Sequence, residues 1–83
     1  MKTMSRVNLV AKLSAYYQQE INYTKVALIN ETDPIERGRI CWYCLQRGLG
    51  ACQFAQSLGM TFETAEALFE GLRATLKLLE EEA

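Results

Sequence analysis

The stretch DPIERGRICWYCLQRGLGACQFAQSLGMT, from Asp33 to Thr61, decides the fold, because it carries both clear boundaries of the sequence and the helix between them. At its start Asp33 can cap a helix, Pro34 suits the first helical position, and Glu36 stands where a capping box needs a carboxylate. At its end Gly59 can take the left-handed conformation that closes a helix, and Thr61 can cap the next one with Glu63 in its first turn. Three helical segments follow, about 5–29, 34–58 and 62–80, and no strand-like alternation competes with them.

Within the middle segment Ile40, Cys41, Trp42, Tyr43, Cys44, Leu45, Leu49, Cys52, Phe54, Ala55 and Leu58 leave little of the circumference polar. A helix apolar nearly all round belongs at the centre of its fold. At about 100° per residue, Cys41, Cys44, Gly48, Ala51, Cys52 and Ala55 share one sector, a strip of small side chains that another backbone can approach closely. Trp42, Leu45 and Leu49 flank that strip. Gly48 and Gly50 each cost about 1 kcal/mol relative to Ala inside a helix. Either close packing offsets that cost or the helix breaks there.

Working outward, the first segment places Leu9, Val10, Leu13, Tyr16, Tyr17, Ile21, Thr24, Ala27 and Leu28 on one face at three- and four-residue steps. Glu20 falls at the edge of that face, where an ion pair with Arg37 or Arg39 would account for it. The third segment carries the cleaner seam, Ala65, Leu68, Phe69, Leu72, Leu76 and Leu79, with Glu66, Glu70, Arg73 and Lys77 outside it. Its closing Glu80-Glu81-Glu82 opposes the helix dipole and is expected to fray.

Eighty-three residues, 49% hydrophobic and 23% charged, fit one globular domain with a single core. The formal net charge of -1 removes the excess of cations on which non-specific nucleic-acid binding rests. Residues 1–48 carry seven Lys and Arg against four Asp and Glu, and residues 49–83 carry two against six, an asymmetry suited to an antiparallel copy. No run of eighteen apolar residues exists, and Met1-Lys2-Thr3-Met4 does not lead into a signal-peptide core. The expectation is a cytoplasmic chain without membrane contact, in which the sequons at Asn22 and Asn30 are not glycosylated. The three cysteines, an odd number, are then expected to be free thiols.

Cys41-Trp42-Tyr43-Cys44 has the spacing of a redox pair, but such pairs sit at a helix N-terminus after a strand, and this one lies inside a helix. With Cys52 there are three sulfurs on one side, whereas a structural zinc site wants four ligands, and the sequence holds no histidine. Thiol or metal chemistry at Cys41, Cys44 and Cys52 is therefore third among the functional readings. Absence of His also removes the usual general base. The carboxylates Asp33, Glu36 and Glu63 are explained by helix starts, and Gly48-Leu49-Gly50 lacks the strand and the G-K of a phosphate loop. We read no enzyme, no cofactor and no small-molecule ligand from the sequence.

Residues 50–70 hold a more specific pattern, with Ala55, Gly59, Met60, Ala65 and Leu68 at key positions, and it is similar in spacing to the helix-turn-helix of small phage-repressor-like proteins. That resemblance implies a DNA-binding regulator, and it depends on a break at Gly48-Leu49-Gly50. Its recognition helix would present Phe62, Glu63, Glu66 and Glu70 to a phosphate backbone, without an early Arg, Lys, Asn or Gln.

The sequence thus predicts an all-α, up-down-up three-helix bundle, its middle helix open to a break near Gly48. Two neighbours cannot bury Trp42, Tyr43, Leu49 and Phe54 together, so these four are the candidate partner-binding residues. The leading expectation is a helical interaction module that pairs with a second copy of itself or with another helical protein; DNA regulation is second.

Overall fold

The computed structural model describes residues 6–82. Helices α1 (Arg6–Leu28), α2 (Pro34–Ser57) and α3 (Phe62–Glu81) form an all-helical bundle in which each helix packs against the other two. The molecule measures 46 × 18 × 16 Å. A 24-residue helix is about 36 Å long, so the helices must run along the long axis, up, down and up.

Asp33 caps α2, its Oδ1 accepting from the Ile35 N–H at 3.0 Å. The expected capping box does not form. Glu31 takes the Asp33 N–H at 3.1 Å, and Glu36 turns instead to Arg39 at 2.8 Å, one turn along its own helix. At the other end Gly59 has φ +114°, the Gly59 N–H donates to the Gln56 carbonyl and the Met60 N–H to the Ala55 carbonyl. This is a Schellman closure, accompanied by burial of Met60. Thr61 then caps α3 by accepting from the Thr64 N–H at 3.3 Å.

α2 does not break at Gly48; it is helical throughout Pro34–Ser57. A Cβ at residue 48 would overlap the Leu72 Cδ2 of α3, and the Tyr17 hydroxyl of α1 donates to the Gly48 carbonyl at 2.8 Å. All three helices meet at this point, and close packing offsets the cost of the glycine. Around it lie buried Cys41, Cys44, Cys52 and Ala55 of α2, Leu9, Leu13 and Leu28 of α1, and Ala65, Leu72, Leu76 and Leu79 of α3. Only this inner strip of α2 is fully buried, with Ile40 and Leu45 half-buried beside it. With just two neighbours, the helix expected at the centre keeps an outer face in solvent. On α1, Ala27 is exposed, and the buried positions include Glu20.

Arg37 corrects two further expectations. It does not pair with Glu20; its guanidinium donates to the carbonyls of Leu28 at 3.1 Å, Glu31 at 2.8 Å, Leu79 at 2.8 Å, Glu80 at 3.5 Å and also Glu82. The ends of α1 and α3 are thereby tied to the first turn of α2. With a cation on its last carbonyls, α3 stays helical to Glu81 despite its acidic close.

Candidate interaction surface

The polar groups between α1 and α2 are organised by Glu20, which is buried and grips Arg47 through Nε at 3.1 and 3.0 Å and Nη2 at 2.9 Å. The carboxylate in turn strengthens the guanidinium's hold on its proton. The partner is thus neither Arg37 nor Arg39, because sequence spacing does not give the register between two helices; Arg47 lies 27 residues from Glu20. Tyr16 leans on the same site, its phenol pushed up by burial and then by a hydrogen bond to Glu20. Among the described residues no buried side-chain nitrogen or oxygen lacks a partner, so the buried part of this cluster is satisfied within the chain.

The three thiols are free and buried in the core. Burial pushes Cys41 and Cys44 upward, away from the thiolate. Among the described residues no group of His, Cys, Asp and Glu is arranged to hold a metal ion. In native protein at pH 7.5–8, a thiol reagent is expected to titrate none of the three within minutes and all three after unfolding in denaturant. Fast stoichiometric labelling of a native thiol would overturn their assignment to the core.

The anchor positions of the helix-turn-helix spacing are occupied as that pattern requires, with Ala55, Met60 and Ala65 buried and Leu68 half-buried. The break it depends on is missing. α2 and α3 instead lie antiparallel along their length, and the outward start of α3 presents Phe62, Glu63, Glu66 and Glu70.

The four predicted partner residues all lie in solvent: Trp42 is 55% exposed, Tyr43 51%, Leu49 37% and Phe54 65%. The Trp42 and Tyr43 rings meet edge to face, centroids 5.3 Å apart. About two turns before them Ile35, which sequence reading passed over, is also exposed. No protein family, curated protein or solved structure matches this chain. Its function must therefore be read from its surface.

That surface is divided into two edges. Gly38, four residues before Trp42, faces Glu80 of α3, which puts Trp42 and Leu49 on the α3 edge of the outer face. Arg47, four residues after Tyr43, reaches Glu20 of α1, which puts Tyr43, Gly50 and Phe54 on the α1 edge. Phe54 also forms a wall of an apolar groove of about 340 Å³ between α1 and α2, with Leu9, Leu13, Ala51 and Leu58. Between Arg47 and Leu58 the helix carries no charge at all. Its two outward cations are each neutralised within the chain, Arg39 by Glu36 and Arg47 by Glu20. Among the described residues no helix is long and apolar enough to cross a membrane.

Proposed function

We propose that this chain is a non-enzymatic helical interaction module that self-associates through the outer face of α2. One observation carries the reading: Trp42, Tyr43, Leu49 and Phe54 stay in solvent on a single helix although the core is fully formed without them. Large apolar side chains gathered on one face whose charges are paired favour an interface, and aromatic residues are the usual centres of binding energy. A second copy suits this face because a surface that meets itself must avoid like charges, and its arginines are already paired.

Light scattering coupled to gel filtration is expected to give a dimer mass at micromolar concentration. Trp42→Ala is expected to weaken dimerisation by about tenfold or more, corresponding to about 1.4 kcal/mol, with the helical content of the monomer unchanged. A monomeric mass at the highest accessible concentration would end the proposal.

A further inference from the structure

We infer that two copies pair antiparallel through α2 about a two-fold axis at Gln46, so that Trp42 of each packs on Leu49 of the other and Tyr43 of each seats over the other's Gly50. The inference deepens the self-association reading and rests on it. It comes from spacing on the two edges of the outer face. A step of seven residues returns a helix to within about 20° of its starting direction, so Trp42 and Leu49 share the α3 edge while Tyr43 and Gly50 share the α1 edge. The midpoints of these two pairs lie on either side of Gln46. Rotation about an axis there exchanges the ends of each pair while keeping each edge on its own side, so the face is complementary to itself in this register.

The chemistry at each exchanged position fits. Trp42 and Leu49 are both exposed apolar groups, and their meeting removes both from water. Gly50 is the unexplained glycine of α2: nothing lies within 4 Å of where its Cβ would be, so no contact within the chain requires it. Beneath an aromatic ring from a second copy the missing side chain becomes a seat. Electrostatics permit the arrangement, since the axis falls beside Gln46, which is uncharged, and Arg39 of one copy meets Gln53 of the other rather than a like charge.

Cysteine scanning tests the register, because the native thiols are buried and an introduced one is the reactive group. Under mild oxidation Gln46→Cys is expected to give a disulfide-linked dimer by itself. Gln53→Cys alone is not, but a mixture of Gln53→Cys and Arg39→Cys is expected to give the mixed dimer. Gly50→Leu, at a position with open space around it, should leave the monomer folded and weaken dimerisation about tenfold or more. A dimeric mass in solution combined with no Gln46→Cys cross-link, or with efficient self-cross-linking of Gln53→Cys, overturns the register while self-association stands. A monomeric mass for the unsubstituted protein removes both.

Discussion

Leu72→Ala is expected to cost about 2–5 kcal/mol in chemical denaturation, the largest effect of any single truncation in this core. Leu72 is buried where α1, α2 and α3 converge, and its Cδ2 occupies the place a side chain at residue 48 would need. Gly48→Ala should accordingly destabilise by about 1–3 kcal/mol through overpacking, even though alanine is the better helix former by about 1 kcal/mol. Relief can come from rotating Leu72 or from separating the helices, and separation stretches the bond from the Tyr17 hydroxyl to the Gly48 carbonyl. The double variant carries the decisive information. With Leu72 cut back, the new methyl at residue 48 enters the vacated space, so the two costs should fall short of their sum by about 1 kcal/mol or more. Gly50→Ala, measured at a concentration low enough to keep the chain monomeric, is the internal control, since within one copy open space surrounds it and propensity alone should stabilise by about 0.5–1 kcal/mol. If Gly48→Ala stabilised by a similar amount, the close approach of the three helices at this point would be wrong.

Which parts of this arrangement could be read in advance follows the range of the interactions. The boundaries at Asp33, Gly59 and Thr61 were legible because caps are local, each set by two or three neighbouring residues. The inner strip of α2 was legible for the same reason, since a 3.6-residue period fixes which side chains share a sector. Continuity at Gly48 was not, because what offsets the glycine is Leu72, brought in from another helix. The partner of Glu20 was not legible either: spacing points to Arg37 or Arg39, and only the register of α1 on α2 brings Arg47 to the carboxylate. Glu36 shows the opposite failure. A correct spacing for a capping box was present, but Glu31 and Arg39 competed locally for the groups involved. The outer face of α2 was legible by counting, for four large apolar residues exceeded what two neighbours can cover. Its division into two edges required the placement of α1 and α3.

Arg37 is the residue whose importance is least visible from its neighbours in the chain, and Arg37→Met is expected to cost about 2–4 kcal/mol. A hydrogen bond from a charged donor contributes about 1.5–3 kcal/mol when well made; the total stays below the sum of five because part of the group is open to water and such contributions are not additive. Methionine keeps most of the aliphatic stem, so the loss would report the guanidinium rather than the packing. Arg37→Lys should recover little, because an ammonium on a flexible stem cannot span carbonyls contributed by two different helix ends in the way a planar fork does. Local opening should be the signature. Without Arg37, the last turn of α3 is left with Glu80, Glu81 and Glu82 against its own carbonyl dipoles, and amide exchange there and at the end of α1 should accelerate before the core around Leu72 is affected. High salt should lessen the penalty by screening those carboxylates from the helix terminus. Stability of Arg37→Met within about 0.5 kcal/mol of the parent, the range of an ordinary surface substitution, would show that these carbonyls are equally well served by water.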